Sequence, residues 1–275
     1  MTHSFRHLLC SFLLLLCGHT VWGAPQAVTV STLDQFDDEF KTVPCKNDDR
    51  QEAVKTLFER MGVTASEMAM DKYKRVENVV IRKPGTSDGV IVVGAHYDKV
   101  NDGCGALDNW TGIVTIAHLY RSLKSVATQK TILFVGFGKE EEGLVGSRAM
   151  VDKIKTNEEY CAMINVDSLG LAAPQVMDNT SNSKLEKATE ELAKEMKIPF
   201  THAKIDKANA DSSSFLARNI PAVTITGLTN DWPKILHSRK DQATTVIPDS
   251  VFLGYRLALA LVTRVDTLPC DAYKY

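Results

Sequence analysis

Acidic and imidazole groups stand at the ends of apolar runs along this chain. GVIVVGAHYD carries His96 and Asp98, GALDNWTG carries Asp108, TILFVGFGKEEEGLVGS carries Glu140, Glu141 and Glu142, and YCAMINVDSLG carries Asp167. A later histidine, His237, lies in a polar stretch with Asp241 just beyond it. Imidazole plus carboxylate, with no thiolate required, is the ligand inventory of a divalent metal centre, and two imidazoles favour zinc over magnesium or calcium. Each group alone has a plainer reading. A histidine ending a strand is commonly packed, an aspartate before a helix caps it, and a run of glutamates is a solvated turn. Together these readings weaken. Carboxylates gathered at one crevice repel and raise one another's pKa unless a cation compensates. Two histidines, two terminal carboxylates and one bridging carboxylate would suit two ions, with one glutamate left as general base for hydrolysis. Spacing does not decide between Glu140–Glu141 and Glu141–Glu142. His118 and His202 have no carboxylate pair beside them and keep the plainer reading.

The runs that carry these groups predict the scaffold. Three are β-branched, four to eight residues long, and stop at a polar group, the pattern of buried parallel strands. Strands are expected at 79–81, 90–95, 132–137, 162–166 and 222–226. Helices are expected after Asp48-Asp49 (which would cap the first), after Asp108, from about 147, over 183–197 and over 251–265. This alternation means βαβ units. The expected fold is a single α/β domain of three layers, αβα, with a largely parallel, mixed central sheet. In such a sheet the site lies beyond the carboxyl ends of the strands, which aims His96, the glutamates and Asp167 at one crevice. The stretches 24–44, 171–182 and 228–245 are expected to be the least structured.

Composition narrows the partners. The 275 residues are 44% hydrophobic, with 32 basic and 34 acidic side chains and a net charge of −2. No basic block is present, so nucleic acid and anionic membrane are poor partners. Arg6 precedes an apolar run over 8–17, too short to span a bilayer comfortably. Val21 and Gly23 suit the positions before a cleavage, so 1–23 reads as a signal peptide and 24–275 as the mature domain. A secreted or periplasmic monomer with no stable membrane span is expected. Cys45, Cys104, Cys161 and Cys270 would then meet an oxidising compartment. Cys45 and Cys270 sit in similar Pro-Cys turns near the chain ends, and a Cys45–Cys270 bridge is expected. The Asn179 sequon falls in an expected surface loop; the Asn109 triplet adjoins Asp108 and is expected to be buried.

His96-Tyr97-Asp98, Gly105-Ala106-Leu107-Asp108-Asn109, Glu140-Glu141-Glu142-Gly143-Leu144-Val145-Gly146-Ser147 and Asn165-Val166-Asp167, in this order, resemble the zinc aminopeptidase family. This is metallopeptidase family M28, with bacterial leucyl aminopeptidases and relatives of glutamate carboxypeptidase and glutaminyl cyclase. The resemblance covers about residues 78–241 and implies two zinc ions per subunit. Asp108 would bridge them. His96 and Asp167 would complete one, Glu141 and His237 the other, and Glu140 would be the general base. Asp98 would orient His96, and Asp241 would support His237. The implied activity is removal of the first residue from peptides with a free N-terminus. The alternative is a carboxypeptidase-like or glutaminyl-cyclase-like reaction. One departure is Leu236, where some members place a tyrosine that aids the oxyanion. Asp211-Ser212-Ser213-Ser214-Phe215 loosely resembles a substrate-side segment of the family. Asp211 and Phe215 are thus candidates to line a pocket, with core packing the equal alternative for Phe215.

Overall fold

The computed structural model describes residues 28–157 and 159–274; the expected signal segment 1–23 lies outside them. The strands are Met68–Tyr73 (β1), Val76–Lys83 (β2), Val90–His96 (β3), Thr131–Phe137 (β4), Tyr160–Val166 (β5), Gln175–Met177 (β6), Thr201–Ala203 (β7) and Ala222–Thr226 (β8). The helices are Leu33–Phe40 (α1), Asn47–Arg60 (α2), Thr111–Leu123 (α3), Val145–Asp152 (α4), Ser183–Glu195 (α5), Asp211–Leu216 (α6) and Pro248–Thr267 (α7). The strands form one mixed sheet in the order β1-β2-β4-β3-β5-β8-β6-β7. Its centre, β4-β3-β5-β8, is parallel. The β1–β2 hairpin flanks it antiparallel on one side, and β6 pairs antiparallel with β8 on the other.

Alternation along β3 explains the three layers. Ile91, Val93 and Ala95 join the core beneath α1, α2, α3, α5 and α7, while Val92 joins a second core with Met150, Val151 and Phe215 beneath α4 and α6. Both faces of the strand are therefore buried, as its unbroken apolar run requires. The expected α/β architecture with a largely parallel sheet is what these residues build. Helix α3 is buried along most of its length, from Thr111 through Tyr120. Helix α5 is amphipathic, and the Asn182 side chain caps it by accepting from the amides of Lys184 and Leu185.

Several expectations need correction. Lys46, not Asp48 or Asp49, is the N-cap of α2; the two aspartates lie in its first turn, where they favour the helix through its dipole. The region 24–44 contains α1, whose Phe36 and Phe40 are buried, and 171–182 contains β6. The disulfides are Cys45–Cys104 and Cys161–Cys270, not Cys45–Cys270. Cys161 is the second residue of β5, whereas Cys104 follows the carboxyl end of β3, and these strands are parallel. The two Pro-Cys turns thus lie at opposite ends of the sheet. Among the described residues, no helix is long and apolar enough to cross a membrane.

Candidate metal centre

The carboxyl ends of β3, β4 and β5 deliver their polar groups to one crevice. His96 is the last residue of β3 and is buried. Asp167 follows β5, and Glu140 and Glu141 follow β4. Asp108 stands in the tight turn Ala106–Trp110 before α3, and its peptide to Asn109 is cis. Asn109 secures this turn to the end of β5. Its amide nitrogen donates to the Val166 carbonyl (2.9 Å), and its oxygen accepts from the amides of Gly112 (3.0 Å) and Ser168 (3.2 Å). A Cβ at Gly112 would lie 2.3 Å from that oxygen, so this approach needs glycine. Asn109 is fully buried, as expected.

The two oxygens of Asp108 face opposite partners. Oδ1 is 3.1 Å from His96 Nε2, which is also 3.6 Å from Asp167 Oδ1. Oδ2 is 3.0 Å from His237 Nε2, which is 3.3 Å from Glu141 Oε2. Two ligand triads, His96/Asp108/Asp167 and Asp108/Glu141/His237, therefore share one carboxylate; His96, Glu140 and Glu141 form a third grouping. Donor atoms around a tetrahedral zinc with bonds of about 2.0–2.2 Å stand about 3.3–3.6 Å apart, so both triads fit such an ion. The Oε1 atom of Glu141 is buried without a hydrogen-bond partner, a second mark of a site arranged for a cation.

Electrostatics point the same way. Hydrogen bonds donated to the Asp108 and Glu141 carboxylates push His237 up to about 10. Burial opposes charge on His96, yet Glu140, Asp108, Asp167 and Asp98 together raise its pKa well above the usual imidazole range. Burial and then the carboxylates Asp211, Asp167 and Asp108 push Glu140 up to about 9, against the pull of His96. The crevice thus draws in positive charge, first as protons.

The supporting residues divide their roles differently from the expectation. The carbonyl of Asp98 is 3.1 Å from His96 Nδ1, with its carboxylate at 3.7 Å. That carboxylate also accepts from the amides of Glu140 (2.9 Å) and Glu141 (3.1 Å), so Asp98 ties His96 to the glutamate turn. Asp241 accepts from the amides of Leu107 (2.7 Å) and Asp108 (3.2 Å). It holds the shared carboxylate's backbone rather than His237, because its loop folds back over that turn.

A cavity of about 190 Å³ opens over the centre. Met177, Ile205, Ala208, Leu228, Trp232 and Leu236 wall it, with Ser168 and Asn209 as further polar groups. Leu236 lines it where the tyrosine was absent from the sequence. Asp211 and Phe215 do not line it. Asp211 is fully buried at the start of α6 with both carboxylate oxygens unpartnered, and burial pushes it up to about 7. Phe215 packs on Phe137, with ring centroids 6.2 Å apart. The sequence reading missed Ser168, whose hydroxyl donates to Asp167 (3.1 Å), and Arg50. The signal for Arg50 was present: it shares an apolar helical stripe with Val54, Leu57 and Phe58. A larger groove of about 530 Å³ is bordered by Val28, Val30 and Leu259, but among the described residues it holds no such constellation.

A mixed sheet between helical layers, with a shared carboxylate between two histidine-containing triads, describes a class of metallohydrolase scaffold. Residues 78–262 match the family described as Peptidase family M28, and the chain belongs to that family. It is 25% identical over 237 residues to a "Probable leucine aminopeptidase" of Trichophyton verrucosum (strain HKI 0517), covering 78% of this chain and 64% of that one. It is 32% identical over 167 residues to a "Probable leucine aminopeptidase" of Arthroderma otae (strain ATCC MYA-4605 / CBS 113480), covering 53% and 45%. The chain thus spans 45% to 64% of the length of these two relatives. The fold is similar to that of the Legionella pneumophila LapA aminopeptidase, with a TM-score of 0.72, 19% identity, and 88% and 73% of the two chains covered. It is also similar to an Acidobacteriales bacterium glutaminyl cyclase, with a TM-score of 0.74, 18% identity, and 89% and 97% covered.

Proposed function

We propose that this chain is an exported aminopeptidase with two zinc ions, acting on peptides with a free N-terminus. The observation that carries the reading is the Asp108 carboxylate, whose two oxygens face separate histidine-containing triads. His96, Asp108 and Asp167 would hold one ion; Asp108, Glu141 and His237 would hold the other. Bound zinc supplies Lewis acidity at the scissile carbonyl and lowers the pKa of a water to about 7. Glu140 borders the cavity, accepts the proton of the attacking water and delivers it to the leaving amine. Nearby carboxylates hold the free α-ammonium of the substrate, while the wall of Met177, Ile205, Leu228 and Trp232 suits an apolar first side chain. Among the described residues, no Lys or Arg lines the cavity, so a substrate's terminal carboxylate would find no partner there. This favours an aminopeptidase over a carboxypeptidase. The two disulfides support export, which residues 1–23 would direct if they act as the expected signal peptide.

A glutaminyl-cyclase-like reaction is the second reading, favoured by the near-complete coverage of the cyclase chain. Free and N-acetylated aminoacyl substrates, together with a glutaminyl peptide, test both. Zinc-dependent release of the first residue from free substrates alone is expected. Cleavage of acetylated substrates would refute the aminopeptidase. Loss of ammonia from the glutaminyl peptide without peptide cleavage would establish the cyclase instead.

A further inference from the structure

Arg50 is fully buried on the inner face of α2, an uncommon position for a guanidinium. Its donors reach main-chain carbonyls of three separate segments. Nε donates to Tyr97, the residue after His96. Nη1 donates to Cys104 (2.8 Å) and to Pro44 (2.9 Å), and Nη2 donates to Gly105 (3.1 Å). Pro44 precedes Cys45, which is disulfide-bonded to Cys104, so the guanidinium and the disulfide fasten the same junction. The guanidinium also lies 5.5 Å from the ring centroid of Trp110, at the far end of the Asp108 turn.

The junction is tightly filled. Gly105 has φ of +59°, and a Cβ there would lie 2.8 Å from the Asp108 carbonyl. Asp241 grips the same turn from its other side through the Leu107 and Asp108 amides. Burial lowers Arg50 to about 10, against the raising influence of Asp98, Asp241, Asp108 and Glu141, so it remains a cation at neutral pH. A buried cation near a metal centre repels the metal. If charge were all that Arg50 contributed, removing it would tighten zinc binding.

We propose that Arg50 is a positioning residue for the metal centre. Its fork sets the separation between the backbone that carries His96 and the backbone that carries Asp108. This inference rests on the two-metal reading.

The test compares the full mature chain with Arg50→Lys and Arg50→Met, measuring zinc affinity by chelator competition, kcat and KM at saturating zinc, and Tm. Both variants are expected to fold by circular dichroism and to bind zinc about 10- to 100-fold more weakly. Their kcat should fall while KM stays within about twofold. Lysine should not rescue, because one ammonium cannot span four carbonyls in the geometry of a planar fork. Unchanged or tighter zinc binding, or a lowered Tm with wild-type kcat, would overturn the proposal. Failure of both variants to fold would also overturn it, by assigning Arg50 to the fold alone. Wild-type zinc stoichiometry tests the two-metal reading, whereas the variant-to-wild-type affinity ratio tests Arg50, so the two can fail separately.

Discussion

Asp266, near the amino end of β4, and Asp108, beyond the carboxyl end of β3, are buried to the same degree, each 8% exposed. Their surroundings differ. The Asp266 carboxylate accepts from the amides of Gln129 (3.1 Å) and Lys130 (2.8 Å). The Lys130 ammonium in turn donates to the carbonyls of Asp266 (2.7 Å) and Leu268 (2.6 Å). Asp108 instead meets two imidazoles amid other carboxylates, beside a Glu141 oxygen with no partner. Equal burial therefore serves two ends. Where hydrogen bonds close the group off, it stabilises the fold; where carboxylates gather around it, as in the proposed function, it is suited to receive a cation.

The sharpest way to separate the two ends is Glu140→Gln. It is predicted to lower kcat by about 10²- to 10⁴-fold while zinc content stays at the wild-type value. Normal turnover by the zinc-loaded variant would remove Glu140 as the base. His237→Ala should next lose one zinc equivalent, read by elemental analysis, because His237 belongs to only one of the two triads. Unchanged stoichiometry would exclude it as a ligand.

At the closed end, Asp266→Ala should cost about 1–3 kcal/mol of stability by stranding the buried Lys130 amide and the partly buried Gln129 amide, with kcat and zinc content unchanged. A loss of zinc there would erase the contrast between the ends. At neutral pH no effect on zinc content or kcat is expected at His118, whose influence is confined to acid. It stacks on Phe36 at 4.0 Å, and burial pushes its pKa down to about 3. The unfolded chain protonates this residue below about pH 6.5, but the folded chain does not. Its contribution to stability is thus complete above that pH and is lost as pH falls toward 3, by at most about 1.4 kcal/mol per pH unit. His118→Gln should flatten the acid limb of a Tm profile; an unchanged limb would count against this.

The open end was the more legible of the two in sequence. Apolar β-branched runs that stop at His96 and Asp167 give both the strand and its end, so their convergence followed from parallel topology. The direction of each Asp108 oxygen did not, because it depends on the turn that Asn109 fastens to Val166. Asp211 shows the limit of motif reading: the loose likeness of its segment to a substrate-side segment is visible, but the short helix α6 it opens, and the packing that buries it, are not. The strands β1, β6 and β7 escaped because MAMDKY lacks clean alternation and QVM and THA are too short to show a period. The disulfide expectation failed because closeness of chain ends says nothing about which end of the sheet each cysteine occupies.

In the proposed function, Asp108 stands between two metal ions. An anomalous-difference map from zinc-loaded crystals, collected at the zinc edge, tests it most directly. Two peaks per chain are expected to flank the Asp108 carboxylate, one beside His96 and Asp167 and the other beside Glu141 and His237. A single peak, or peaks that leave Asp108 uncoordinated, would contradict it.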